Sequence, residues 1–340
     1  MSRVPLVEET GRLRRLLLVG SILVDVLVYV DILPERGSDT VARGSLISSG
    51  GGFNVLAAAA RLGLPGAYAG RIGAGTFGRR VARDLEVEGI AALLPPNAGG
   101  DTGFDVVMVE AGGERSFLTA PGVEACLRLE DLARLSPEPG DVIYVSGYDL
   151  SYASSGPTLD AWLAERASGN LLVVDPGPLA AEKPGMGLAG VLPRVGLLSC
   201  NAREARLLSG REHPGEAAKA LTDLVAPGAA VVVRVGGDGC WVATTARGSA
   251  PVGVELPGRS RSAVAVVHVA GRPATATDTT GAGDVHVGAM LARMAGGDDL
   301  LEAARTANLA ASLSVMRPGG AAGPSMAELT ATRLAWRGAG

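Results

Sequence analysis

Residues 12–24 read RLRRLLLVGSILV, a basic flank followed by a short apolar run, and two architectures compete for them. As a leader or membrane segment the run would carry the chain out of the cytoplasm; as a buried strand it would open an α/β domain. No small-x-small cleavage site follows it, Asp25 and Asp31 interrupt the hydrophobic stretch, and Val and Ile dominate it. These features favour a buried first strand over 16–24, and the two aspartates argue against a membrane span.

Further apolar, β-rich runs lie downstream: DVIYVSG (141–147), NLLVVDPG (170–177), VGLLSCN (195–201) and AAVVVRVG (229–236). Between many of them stand Ala- and Leu-rich segments with helical spacing, such as FNVLAAAARLG (53–63) and NAREARLLSG (201–210). Strands alternating with helices predict a mainly parallel sheet covered on both faces, with ligands beyond the carboxyl ends of its strands. Segments 28–49 and 101–120 differ: they alternate, carry turn residues and have no helix between them, which predicts two antiparallel hairpins. Paired, these would make a small β layer lying over one end of the main sheet as a lid. Residues 245–265 are loop-like and read as a surface excursion.

With 340 residues, 47% hydrophobic and 19% charged, the chain can bury a large core. A net charge of −4 and no stripe of Lys and Arg interleaved with aromatics speak against nucleic acid as a partner. Three cysteines, odd in number and far apart, form no metal motif with the three histidines and fit a reducing compartment, the cytoplasm.

Three glycine-rich loops are candidates for cradling a phosphate. GAGTFG (73–78) fits G-x-G-x-x-G, but a dinucleotide fold needs an acidic residue about 20 residues on, at the end of the next strand. That strand reads AALLPPN, so a tight strand-to-helix turn is the better reading. SSGGGFN (48–54) leads into the helix 53–63; its three glycines leave backbone N–H groups uncovered for a ligand, or else form a lid hinge with Asn54 as a helix cap. DTTGAGD (278–284) precedes the apolar VHVGAMLARMAGG. Gly281, Ala282 and Gly283 would present N–H groups at a helix N-terminus, which suits a transferring phosphoryl group, and Asp284 could accept the proton of an attacking hydroxyl. The plainer alternative is that Asp278 makes a turn and Asp284 caps the helix. No G-x-x-x-x-G-K-[ST] loop and no protein-kinase motif set occurs.

SGGGFNVLAAAARLG and DTTGAGDVHVGAML resemble the two signatures of the ribokinase, or phosphofructokinase B (PfkB), family of carbohydrate kinases. NAREA (201–205), RVGGDG (234–239) and ANLAASLSVMRPGGAAGPS (307–325) resemble weaker marks of that family in the expected order. The resemblance spans nearly the whole chain and implies one ribokinase-like domain over 1–340: an α/β, doubly wound, mainly parallel sheet flanked by helices, with the small β-sheet lid from about 28–49 and 101–120. It implies transfer of the γ-phosphoryl group of ATP to a hydroxyl of a small sugar. By position, Asp284 falls on the family's catalytic base and Gly281, Ala282 and Gly283 on its anion hole. Asp25, Gly50, Gly51, Gly52 and Asn54 fall on substrate positions. Asn201 and Glu204 match an Asn-x-x-Glu pair associated with Mg2+ and phosphate, Glu204 acting on the ion through water. Gly236 and Gly239 match a turn beside the nucleotide, Asn308 matches a position near adenosine, and Arg234 replaces a commoner Thr or Lys and would reach ATP phosphates or point to solvent. Asp278 and Thr280 match positions of a monovalent-cation site, with K+ the candidate ion.

The resemblance also admits a nucleoside as substrate, a homodimer paired through the lid, and, from another class, a sugar-binding regulator without turnover. Gly51 stands where ribokinases carry a Lys, and Phe53 precedes Asn54, which puts ribose itself in doubt; Phe53 would pack under the lid or stack on a substrate. Asp25, a carboxylate in an apolar strand, needs partners that vicinal hydroxyls or backbone N–H groups could supply. A helix N-terminus should lower the pKa of Asp284, which points to orienting the hydroxyl as its main role.

Overall fold

The computed structural model describes residues 13–112, 114–167, 169–185, 187–244 and 264–337. In chain order its strands are β1 (Arg15–Leu18), β2 (Val24–Tyr29), β3 (Gly44–Ser49), β4 (Gly66–Tyr68), β5 (Ala91–Ala92), β6 (Phe104–Val109), β7 (Arg115–Ala120), β8 (Asp141–Ser146), β9 (Leu171–Asp175), β10 (Leu197–Asn201), β11 (Ala230–Arg234), β12 (Gly239–Thr244) and β13 (Ala265–Ala270). The run at 16–24 is therefore not one strand. Its first half is β1, its last residue opens β2, and the two belong to different sheets. Gly20 marks the break: a Cβ there would lie 2.1 Å from a carboxylate oxygen of Asp149, so only glycine lets the chain turn off the main sheet at this point. The buried N–H of Ile22 in the crossing segment is satisfied by the Tyr68 hydroxyl at 3.1 Å.

The main sheet has the order β13-β12-β11-β10-β9-β8-β1-β4-β5. Its pairs from β11 to β5 are parallel, and β12 and β13 continue it antiparallel. The central parallel strands β1 and β8 to β11 are apolar on both faces because both are covered, whereas the edge strand β5 is exposed. Leu16, Leu18, Val142, Tyr144, Leu171 and Val173 enter one core with the helices Gly52–Arg61, Ala282–Ala295 and Leu300–Ser314. Leu17, Ile143, Val145, Leu172 and Val174 enter the other, with Leu159 and Ala205 from helices on the opposite face. Burial of each such aliphatic side chain contributes about 2 kcal/mol. The order of strands reverses at β1, which pairs with β4 on one side and β8 on the other. The crevice beyond the carboxyl ends of these strands is the topological switch point, the usual place for a ligand in such sheets.

The smaller sheet has the order β3-β2-β6-β7. β2 with β3 and β6 with β7 are antiparallel hairpins, joined by a parallel β2–β6 pair. Phe77 of the helix Thr76–Val87 packs against Phe104 of β6, ring centroids 5.1 Å apart, and ties this sheet to the main body. Of the loop expected over 245–265, residues 245–263 lie outside the described residues, and Ala265 opens β13. Among the described residues no helix is long and apolar enough to cross a membrane.

Candidate active site

The Ala-rich helix Gly52–Arg61 crosses Ala282–Ala295 closely, for a Cβ on Gly288 would meet the carbonyl oxygen of Val55 at 2.4 Å. That close crossing brings the starts of both helices together, and Asn54 Nδ2 donates to Asp284 Oδ2 at 3.0 Å. Gly281 is the N-cap, in the left-handed region at φ 69°, and its α-carbon faces the carbonyl of Gly320, 2.1 Å from where a Cβ would sit. First-turn N–H groups have no acceptor within their own helix. Ala282 N makes only a 3.4 Å bond to Thr279, so this helix start has the geometry that can receive an anion.

The expectation that the helix terminus would lower the Asp284 pKa is overturned. Burial raises it to about 6, Asp175 adds to the rise, and Asn54 and Arg234 offset only part. Desolvation outweighs the helix end here and makes Asp284 a stronger base than its position in the sequence suggests. Asp278 behaves oppositely: although burial would raise its pKa, bonds from Gly319 and Thr280 hold it below the usual carboxylate value. Its Oδ1 accepts from Thr280 N at 2.8 Å and its Oδ2 from Gly319 N at 2.9 Å, so it shapes the turn and also ties the 319–320 backbone to the loop.

On the side of the smaller sheet, Asp25 is 6% exposed on β2. Burial raises its pKa to about 7, and Asp105, Asp284 and Asp278 push it in the same direction. The three glycines of SGGGFN serve three different needs and do not leave their N–H groups uniformly uncovered, as the triple glycine suggested. Gly50 makes room for Asp25, whose Oδ2 would lie 2.1 Å from a Cβ, and donates its N–H to Leu23. Gly51, at φ 59°, is the N-cap; Gly52 packs on Leu18 and donates its N–H to Ser21. Phe53 is 4% exposed and belongs to the core, so it packs and does not stack on a ligand.

On the other side of Asp284 is a cavity of about 470 Å³ lined by Arg115, Asn201, Arg234, Gly236, Gly239, Gly283, His286 and Asn308 among others. Asn201 and Glu204 form a reciprocal cap: Asn201 Oδ1 accepts from Glu204 N at 2.9 Å, while the Glu204 oxygens accept from Asn201 N at 2.9 Å and Asn201 Nδ2 at 2.7 Å. Burial, then Asp175, raises the pKa of Glu204. Arg234 does not point to solvent. It pairs with Asp175 at 2.9 Å, donates to Ser199 Oγ at 2.7 Å, and lies beneath Gly283, where a Cβ would be 3.2 Å from its guanidinium. Asn308 donates to the carbonyls of Val269 and Ala270 and shares its Oδ1 with His286 Nε2, so it builds the cavity wall. Gly236 and Gly239 have φ of 64° and 99°, and a Cβ on Gly239 would lie 2.2 Å from the Val269 carbonyl.

Sequence reasoning missed two residues. Arg115 of β7 reaches across to the loop 278–284, donating to Thr279 Oγ1 at 2.7 Å and Thr280 Oγ1 at 2.9 Å. Asp105 of β6 stands beside Asp25 in strand register. Neither belongs to a recognisable motif, and only the β2–β6 and β6–β7 pairings bring them to the site. The loop GAGTFG, by contrast, is filled from within the chain: Asp101 accepts from Phe77 N at 3.0 Å and Gly78 N at 2.8 Å, leaving no cradle for a dinucleotide.

A doubly wound α/β body with a small second sheet, and a glycine helix start facing the crevice between them, define a ribokinase-like fold. The chain belongs to the pfkB family of carbohydrate kinases, whose model matches residues 13–326. It is 30% identical over 331 residues, 95% of each chain, to the uncharacterized sugar kinase YegV of Escherichia coli K12. It is 28% identical over 313 residues, 88% of each chain, to a ribokinase of Mus musculus. A crystal structure of fructokinase from Vibrio cholerae O395, in a form bound to fructose, ADP and calcium ion, matches with a TM-score of 0.74 at 25% identity, covering 94% of this chain and 99% of that one.

Proposed function

We propose that this protein transfers the γ-phosphoryl group of ATP to a hydroxyl of a small sugar. The observation that carries the reading is the position of Asp284, held by Asn54 at 3.0 Å, beside the open amides of the helix start. Relatives named as a sugar kinase, a ribokinase and a fructokinase support it. Asp25, Gly50, Gly51, Gly52 and Asn54 form the sugar side, with the smaller sheet as lid. Asn201, Glu204, Arg234, Gly236, Gly239 and Asn308 form the nucleotide side.

The acceptor oxygen attacks the γ-phosphorus, its bond to the bridging oxygen of ADP breaks, and the hydroxyl proton passes to the Asp284 carboxylate. The amides of Gly281, Ala282 and Gly283 stabilise charge on the equatorial oxygens, and Arg115 and Arg234 add positive charge from the two sides. Among the described residues no cluster of three or more His, Cys, Asp or Glu suits a metal. Both Glu204 oxygens are occupied by Asn201, so these residues fit Mg2+ that arrives on the nucleotide phosphates, with Glu204 acting through water. When bound, Mg2+ neutralises phosphate charge.

ADP release measured over a panel of sugars, sugar phosphates and nucleosides tests the proposal. Turnover on sugars supports it, turnover confined to nucleosides would reassign the substrate, and binding without turnover would indicate a regulator. Repeating the assay with and without K+ tests whether Asp278 and Thr280 also hold a monovalent cation.

Two expected results follow from the geometry. Asp284 must be ionised to accept a proton, so kcat/KM should fall ~10-fold per pH unit once pH drops below the value of about 6 to which burial raises this group. A flat profile down to pH 5 would contradict the assignment. Arg115→Ala removes the charge that the smaller sheet places on the 278–284 loop, and should cost ~10- to 100-fold in kcat/KM for ATP with little change in melting temperature.

A further inference from the structure

The inner face of the smaller sheet carries a polar row that crosses all four strands. Ser48 of β3 is in register with Asp25 of β2, Asp25 with Asp105 of β6, and Asp105 with Thr119 of β7. Like charges directly opposite each other on neighbouring strands destabilise a sheet. Among the described residues, the charged groups that act on Asp25 are Asp105, Asp284 and Asp278, all carboxylates. Arg115 stands four residues along from Asp105 through its pairing with Val109, about 13 Å at strand rise, and is bound to Thr279 and Thr280.

The row is also short of hydrogen-bond donors. Asp25 accepts no hydrogen bond from the described residues although it is 6% exposed. Asp105 Oδ1 and the Oδ1 of the 2% exposed Asn54 are buried acceptors with no partner, and the Ser48 hydroxyl is buried with neither donor nor acceptor beside it. Burial raises the pKa of Asp105, and the Thr119 side chain offsets only part of that rise. Buried acceptors without donors are costly, so a site built this way is complementary to a ligand that brings donors and no negative charge.

We propose that Asp105 is a second substrate-reading residue, and that with Asp25 it selects sugars free of phosphate and carboxylate by binding a donor pair, hydroxyl or ammonium, on the acceptor. The inference rests on the sugar-kinase reading and narrows it to a substrate class. A sugar phosphate entering here would place its charge against Asp25 and Asp105.

The test is calorimetry and steady-state kinetics on the full chain with a neutral sugar, its amino analogue and its phosphate ester, for wild type and Asp105→Asn. Wild type should bind the neutral or amino sugar at least ~30-fold more tightly than the phosphate. Asp105→Asn should raise KM for the preferred sugar ~10-fold, leave kcat within ~3-fold, and narrow the discrimination against the phosphate. Tighter binding of the amino sugar identifies an ammonium donor, and equal or weaker binding a hydroxyl; either supports the inference. Equal binding or turnover of the phosphate by wild type overturns it, as do an unchanged KM in a folded Asp105→Asn protein and binding of no sugar at all. The wild-type comparison decides even if the variant does not fold. If no compound releases ADP but the preference and its dependence on Asp105 persist in calorimetry, the kinase reading fails and this inference stands.

Discussion

Asp284→Asn is expected to lower kcat at least ~100-fold while the protein folds normally. The substitution keeps the size of the side chain and leaves an oxygen for the Asn54 Nδ2 donor that now sits 3.0 Å away. On the proposed function it removes the group that takes the hydroxyl proton, and it removes a charge that burial already disfavours. Folding therefore has nothing to lose, and on the proposed function KM for the sugar should change little, because the variant keeps an acceptor for Asn54 and leaves Asp25 in place. The check is kcat by ADP release beside a thermal melt; near wild-type turnover in the variant would remove Asp284 from the chemistry.

The second large effect is on stability. Arg234→Met should destabilise the protein by about 3 kcal/mol, because it strips the cation from two buried carboxylates. Asp175 is 12% exposed and Glu204 3%, and Arg234 itself is 13% exposed. Burial alone would lower the pKa of Arg234, yet Asp175 and Glu204 hold it above its ordinary value, a sign that the three charges depend on one another. The deficit should shrink at low pH: Glu204 has a raised folded pKa, so the folded state keeps a proton that the unfolded chain gives up. That contribution is lost as pH rises through the folded value. Urea unfolding at two pH values measures both statements, and the double variant with Asp175→Asn should recover most of the loss. Equal stability of Arg234→Met and wild type would show that the pair contributes nothing.

The parallel core was readable because both faces of β8 to β11 are covered, and double burial leaves near-continuous Val and Leu runs. The helix start at Gly281 was readable for a similar reason: a left-handed N-cap touching the Gly320 carbonyl can only be glycine, so the motif carries its own geometry. The run at 16–24 misled because hydropathy does not register which sheet a residue joins, and Gly20 alone signals the crossing. The pKa of Asp284 was misjudged because helix ends are visible in sequence while desolvation is not. Arg115 and Asp105 were invisible for a third reason: long-range strand pairing places them, and no local spacing encodes it.

The crossing at residues 19–23 has one more consequence. Asp25 rides on the smaller sheet and Asp284 on a helix of the larger body, so the reactive geometry is divided between two parts of the molecule. On the proposed function, any change in the tilt between them would alter at once the grip on the acceptor and its distance from Asp284. On the proposed function, a water molecule, too small to touch both parts, would not be held in line as a sugar is, so the division would disfavour hydrolysis of the donor.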